Sequence, residues 1–259
     1  NNNVKFIGDP QKRIEEDFLR IIRFIRFKIM YNSKVEETTN SAIKQNLIGI
    51  KKISKERILV ELYKILSLKN FIYLNENTYL KEIFSLIFPE FVNLKRLSRL
   101  KKISNNLEIN LNLLLAVLLI NDDSNHEYFS HKYNVPNDIK DYLSSLAINL
   151  KLSRDNKDFF SKDLEKHIYL NDKNHLINLN ILNFTSNPKC SVEEFSEILK
   201  RILKSKTHHF HIDGKHLKDK GMREGKLLGH VLKIIESEWI DNNFKISNDR
   251  VEEIIKLNS

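Results

Sequence analysis

Glu16, Asp17 and Arg20 are the residues of this 259-residue chain whose types and spacing come closest to doing chemistry. They lie in FIGDPQKRIEEDFLRIIRFIRF, Phe6 to Phe27. Asp9 and Pro10 read as a helix start, because a first-turn proline forfeits no hydrogen bond and a short acidic side chain caps a free N–H. At about 100° per residue, one continuous helix puts Ile14, Phe18, Ile21, Ile22, Ile25 and Ile29 on a core face. The opposite face gathers Arg13, Glu16, Asp17, Arg20 and Arg23, with Phe24 and Phe27 among them. Asp17 and Arg20, three residues apart, are neighbours there. Two uses of the pair stay open. One is an intrahelical ion pair, worth a few tenths of a kcal/mol when exposed. The other is a hydrogen-bonding template, in which the carboxylate accepts from an exocyclic amine and the guanidinium donates to an adjacent ring nitrogen or carbonyl. Cytosine and adenine offer an amine beside a ring acceptor; uracil and guanine offer a carbonyl beside a ring N–H. One Asp–Arg pair can therefore accept C and A and refuse U and G.

Other reactive-looking groups carry less. THHFHIDGKH brings His208, His209, His211 and His216 close in sequence, without a cysteine pair, an H-E-x-x-H or a helical i, i+4 pair to make a metal site. None of the nine histidines is followed by aspartate, so a histidine–aspartate phosphohydrolase has no visible metal centre. Asp122 and Asp123 in NDD, and Asp155 and Asp158 in SRDNKDF, read as solvated caps rather than magnesium ligands. Near the other end, Lys215, Lys218, Lys220 and Arg223 crowd the predicted start of a helix from Arg223 to Ile240. Cations beside free N–H groups attract phosphate. Gly221, Gly225 and Gly229 recur every four residues, and on a helix they share a face where another backbone can come close. A plain glycine-tolerant helix contact uses the same spacing.

Helices must position all of this. The chain has only six glycines and four prolines, with apolar residues spaced by threes and fours and no convincing strand alternation. Further helices are expected over SKVEETTNSAIKQN, over SKERILVELYKILSL with Ser54 as N-cap, and around Glu76–Phe88, Phe91–Ile103, Leu107–Ile120, Pro136–Ser153 and Ser161–Tyr169. The Asn-rich NDKNHLINLNILNFTSNPKCS reads as irregular connection with short helix, and a boundary is expected near Pro188. A net charge of +9 favours a polyanionic partner, nucleic acid first. Cys190 is alone, which excludes a disulfide framework and suits a reducing, cytoplasmic setting. LNLLLAVLLI, Leu111 to Ile120, is too short to span a bilayer. NNNVKFIGDP has no apolar signal region, and its direct opening into a helix cap suits a fragment whose preceding domain has been lost or is made separately.

The segment Phe6 to Phe27 resembles the start of the neck in class II CCA-adding tRNA nucleotidyltransferases and the related bacterial poly(A) polymerases. Their Glu-Asp-x-x-Arg motif, an amino-acid template for the incoming base, stands here as Glu16, Asp17 and Arg20, flanked by Arg13 and Arg23. TTNSAIKQNLIGIKKISKERILVELYKIL is similar to the family's next segment, with Glu56, Arg57 and Glu61 in the part that buttresses the nucleotide pocket. IDGKHLKDKGMREGKLLGHVLKIIESEWI resembles the family tail, which contacts the tRNA elbow; this implies RNA contacts for Lys215, Lys218, Lys220, Arg223, Gly221 and Gly225. YNSKV departs from the family's glycine-containing turn. The resemblance implies an all-α, multi-helical neck (1–67), body (68–189) and tail (190–259), selecting CTP and ATP and binding tRNA for 3′-end addition. The family's head domain, whose Asp-x-Asp pair binds two magnesium ions, has no counterpart in these residues. The implied chain is thus inactive without a head, which a separate polypeptide could supply, and Mg2+ is expected only with it. A non-catalytic RNA-binding module and a helical interaction scaffold are the alternatives.

Overall fold

The computed structural model describes residues 4–31, 33 and 36–258. Among them there are helices and no strands, so the fold is all-α as expected. The YNSKV turn lies largely outside the described residues. Among the described residues no helix is long and apolar enough to cross a membrane. The chain forms two compact units, Asn1–Asp155 with Ile177–Ile198, and Asn156–Leu176 with Leu199–Ser259.

The first unit begins with α1, Pro10–Glu16, capped as expected: the Asp9 carboxylate accepts from Lys12 N–H at 2.8 Å. Here the single-helix expectation fails. Asp17 is extended (φ −157°, ψ 104°), and α2 runs separately over Leu19–Tyr31. The carboxylate of Asp17 accepts from Leu19 N–H at 3.1 Å, opening α2 with a side chain in place of a backbone carbonyl. Phe18, at the break, sits against Gly49, where a Cβ would lie 2.2 Å from the Phe18 ring; only glycine leaves room for it. The apolar stripe survives the break, with Ile14, Ile21, Ile22, Ile25 and Ile29 all buried.

Next come α3, Glu37–Asn46; a 3-10 turn, Leu47–Lys52; and α4, Lys55–Leu66, whose N-cap is Ser54 as expected, accepting from Arg57 N–H. After a second 3-10 segment, Lys69–Glu76, follow α5, Thr78–Ile87, and α6, Arg96–Ile103, both shorter than the periodicity indicates. A relay of rings, Phe71, Phe84, Phe88, Phe91, Phe129 and Tyr133, runs through this core with centroid separations of 4.9 to 6.1 Å.

Helix α7, Leu111–Leu119, is buried from Leu113 onward on every side, the outcome its all-round apolar sequence demands. Its buried C-terminal carbonyls need partners, and side chains supply them. Arg96 donates to Val117 and Ile120 carbonyls, Asn93 to Leu118, and Asn125 to Leu119. Burial, with the nearby Arg154, lowers the Arg96 pKa to about 10. Helices α8, Asn125–Lys132, and α9, Asn137–Asp155, pack against α7. At NDD, Asn121 accepts from the N–H groups of Asp123 and Asn125, and Asp122 pairs with Arg154.

The Asn-rich stretch corrects the expectation of irregular chain. After α10, Leu164–Asn171, it forms a 14-residue helix, α11, Lys173–Ser186. Asp172, at φ 88°, separates the two and caps the second through His175 N–H. Asparagine disfavours helix interiors by competing for backbone groups. Here tertiary partners occupy those side chains: buried Asn180 donates to Phe195 carbonyl and Asn178 to Tyr142 hydroxyl. Arg99 secures the end of α11, donating to the carbonyls of Phe184, Asn187 and Cys190 at 2.6 to 3.0 Å. Helix α12, Val192–Lys204, follows.

The second unit contains α10, then α13, Gly214–Asp219, α14, Lys226–Asp241, and α15, Asn248–Leu257. Leu217, Val231, Ile235, Val251 and Ile254 form the core between the last three. His208 stacks on Phe244 at 3.7 Å and shares a hydrogen bond with Glu165 at 2.7 Å, so this histidine serves packing and one side-chain contact.

Candidate functional site

The break between α1 and α2 collects the first set of predicted site residues in a new arrangement. Asp17 and Arg20 do not share a continuous helix face, and the intrahelical ion pair, one of the two uses left open, gives way to other partners for both residues. Glu16 takes Arg20 instead: it pairs with Arg20 Nη1 on one side and with Arg13 Nη1, at 2.9 Å, on the other. The same Arg20 Nη1 donates to the Arg13 carbonyl at 2.7 Å. Both Nη1 hydrogens are thus used, while Nε and Nη2 make no hydrogen bond to a described residue. The Arg20 hydrogen bond, aided by Arg13, holds the exposed Glu16 carboxyl below its usual pKa.

Asp17 is held from α4. Arg57 Nη2 lies 3.1 Å from Oδ2 and 3.3 Å from Oδ1, while Leu19 N–H fills another position on Oδ1. A carboxylate has about four lone-pair sites, so Asp17 keeps acceptor capacity, and its side chain is 28% exposed. The break and the first turn of α2 therefore offer an immobilised acceptor followed by a guanidinium with an immobilised inner edge and open outer donors.

Behind this stands Glu61, buried on α4. Arg23 Nε approaches it at 3.5 Å, Arg26 Nε at 3.0 Å and Lys64 Nζ at 2.9 Å. Burial opposes its ionisation, but the Lys64 hydrogen bond and the charges of Arg26, Lys64 and Arg23 outweigh it, and the pKa falls below the ordinary value. Glu61 thus joins α4 to α2. Glu56 joins none of these pairs; it sits exposed in the first turn of α4, its pKa lowered by its own N–H and by Ser54 and Asn134. Arg26 and Lys64 are absent from the sequence reading. Their signal is present in retrospect: Arg23–Arg26 and Glu61–Lys64 are both i, i+3 pairs, so two charged ridges were available to meet.

The second predicted set, in the other unit, is partly corrected. Lys218 pairs with Glu224 at 2.7 Å and Lys220 with Glu252 at 2.6 Å, so both cations are locally compensated. Lys215 and Arg223 are exposed. Helix α14 starts at Lys226, not Arg223, because Gly221 (φ 95°) and Gly225 (φ 154°) take backbone conformations that side chains resist. The two glycines shape the connecting loop and share no helix face with Gly229. Nothing lies within 4 Å of a Cβ built on any of the three, so no neighbouring backbone approaches them among the described residues. What α14 does present is Lys226, His230 and Lys233, exposed at spacings of four and three, a basic ridge the loop-centred reading overlooked.

Comparisons with known proteins point the same way as the geometry. The family described as "Probable RNA and SrmB- binding site of polymerase A" matches residues 33–94, which include α4 with Arg57 and Glu61. A CCA-adding enzyme of Lactobacillus helveticus is 28% identical over 99% of this chain and 63% of its own length. One of Ligilactobacillus salivarius is 27% identical over 96% of the chain and 61% of its length. The chain thus spans about three-fifths of the length of these relatives. Among solved structures, a Bacillus stearothermophilus CCA-adding enzyme in complex with CTP shares the fold, with a TM-score of 0.63 at 17% identity, covering 98% of this chain and 65% of that one. A Thermotoga maritima CCA-adding enzyme complexed with tRNA gives 0.57 at 22% identity, covering 96% and 63%. With a Glu-Asp-x-x-Arg sequence held from α4 and relatives aligned over nearly every residue, the chain is similar in sequence and fold to class II CCA-adding enzymes and the related bacterial poly(A) polymerases.

Proposed function

We propose that this chain is the base-selecting and RNA-holding portion of an enzyme that adds nucleotides to RNA 3′ ends, with CTP and ATP as nucleotides and tRNA as acceptor. The observation that carries the reading is the break at Asp17. It presents a carboxylate pinned by Arg57 and Leu19 N–H one turn before an Arg20 whose outer donors stay open. Such a pair matches the amine and ring acceptor of cytosine and adenine. Arg13 and Glu16 hold Arg20, Arg57 holds Asp17, and Glu61 ties α4 to α2 through Arg23 and Arg26, while Glu56 stands apart from the pair. In this reading residues 1–67 act as neck, 68–189 as body and 190–259 as an RNA-contacting tail.

Transfer itself is in-line displacement at the α-phosphate with pyrophosphate leaving. Among the described residues no three His, Cys, Asp or Glu side chains come together as metal ligands. Those residues do not fit a magnesium site. The carboxylates for magnesium belong, in this reading, to a head domain supplied on a separate polypeptide or on a longer form of the chain. Purified chain, incubated with magnesium, tRNA lacking its CCA end and radiolabelled CTP and ATP, is expected to incorporate no label, and addition of a head domain to restore incorporation. Label incorporated by the chain alone would overturn the division of labour.

The tail makes a separate prediction. Lys218 and Lys220 are already paired, so replacing them by glutamine is expected to leave the salt dependence of tRNA binding nearly unchanged. Lys226→Gln with Lys233→Gln is expected to flatten the plot of log affinity against log salt by about 1.5 units, at roughly 0.7–0.9 for each phosphate no longer neutralised. Anisotropy titrations at several salt concentrations read the slope; equal slopes would make the ridge on α14 a solvated face.

A further inference from the structure

The charged face of α2 carries three aromatic residues, and the structure treats them differently. Phe24 is buried under the chain's own Phe6, whose ring stacks on it at 5.1 Å with 9° between the planes. Phe27 and Tyr31, one and two turns further on, have no such cover. Their rings are nearly parallel, 14° apart with centroids at 6.4 Å, and Tyr31 remains 47% exposed. The guanidinium of Arg26 lies 4.5 Å from the Phe27 ring centre, and the Arg23 side chain beside it is 45% exposed. Residues 20, 24, 27 and 31 follow spacings of four, three and four, so this face continues directly from Arg20.

We infer that Arg23, Phe27 and Tyr31 form a stacking platform for the unpaired 3′ end of the RNA acceptor, a proposal that rests on the reading of Asp17 and Arg20 as the base-selecting pair. Position is the first argument. Phe27 and Tyr31 lie about 10 and 16 Å along α2 from Arg20, at 1.5 Å per residue. Stacked nucleotides repeat at about 3.4 Å, so an RNA end approaching a nucleotide held at Arg20 passes over both rings within its last few residues. Chemistry is the second. Every base has a π-face, and aromatic rings flanked by arginines bind single strands without demanding a sequence, which suits a strand whose terminal base changes with each addition. Charge is the third. Around the break and α4, Arg13, Arg20, Arg23, Arg26, Arg57 and Lys64 share Glu16, Asp17 and Glu61 as their ion-pair partners, an excess of cations that complements phosphates better than an apolar polypeptide surface.

The test uses the full chain and two RNA hairpins, one blunt and one with a short unpaired 3′ tail carrying 2-aminopurine near its end. Stacking on the platform is expected to quench the 2-aminopurine emission and to give the tailed hairpin the tighter binding. Tyr31→Leu, at an exposed position where folding is not at stake, is expected to relieve the quench and weaken the tailed hairpin about fivefold or more. It should leave the blunt hairpin unchanged. Phe27→Leu, checked by circular dichroism, is expected to act in the same direction. Both hairpins binding equally, with no quench and no response to Tyr31→Leu, would overturn the platform alone and assign this face to a polypeptide partner. Failure of either hairpin to bind would overturn the platform together with the RNA-holding reading beneath it.

Discussion

Replacing Glu61 by alanine is expected to destabilise the first unit by about 3–5 kcal/mol, the cost of removing one partner from a buried charge cluster. The side chain is 4% exposed, and Arg26, itself only 18% exposed, would be left without its carboxylate. Urea unfolding followed by circular dichroism reads the loss as a lower midpoint at constant slope. Glu61→Leu separates the two contributions, since it fills the space while still leaving the cations unpaired. The pH dependence follows from the direction of the shift. Glu61 has a lower pKa folded than unfolded, so its contribution is fully present above the ordinary glutamate value and is lost as pH falls through the folded value. The Glu61→Ala protein should therefore show a shallower acid-side loss of stability. A variant within about 1 kcal/mol of the parent would show that the cluster only breaks even against its desolvation.

Asp17→Ala is expected to reduce the preference for CTP and ATP over UTP and GTP roughly tenfold or more, at about 1–3 kcal/mol per discriminating polar contact. The measurement is single-nucleotide incorporation with the head domain present, each nucleotide in turn. Arg57→Ala provides the internal comparison that the structure makes possible. It leaves the Asp17 carboxylate chemically intact and removes the group that aims it. Selectivity should fall by less than in Asp17→Ala, and Arg57→Lys should recover part of it, because a single nitrogen, Nη2, contacts both carboxylate oxygens and an ammonium reaching the same point supplies an equivalent donor. Should Asp17→Ala lower stability and leave selectivity untouched, the carboxylate is a helix cap and an ion-pair partner, and base choice lies elsewhere.

These two residues show where local reading succeeds and where it stops. Asp9 and Ser54 as caps, the buried stripe from Ile14 to Ile29 and the all-round burial of α7 are consequences of contacts within a turn or two, and sequence by itself determined them. Helical periodicity also placed Asp17 and Arg20 among charged neighbours, and the resemblance to a family named their use. Periodicity carries no information on contacts forty positions apart. Only the tertiary structure decided that Arg57 holds Asp17, that Glu16 rather than Asp17 takes Arg20, and that Glu61 meets arginines from another helix. The same limit explains the tail, where Glu252, thirty-two residues away, compensates Lys220, and α11, where partners for Asn178 and Asn180 override a poor helix propensity. The break at Asp17 joins the two levels. A short carboxylate can always compete for a nearby N–H, but it wins here where Arg57 holds the carboxylate from α4 and Gly49 leaves room for the Phe18 ring.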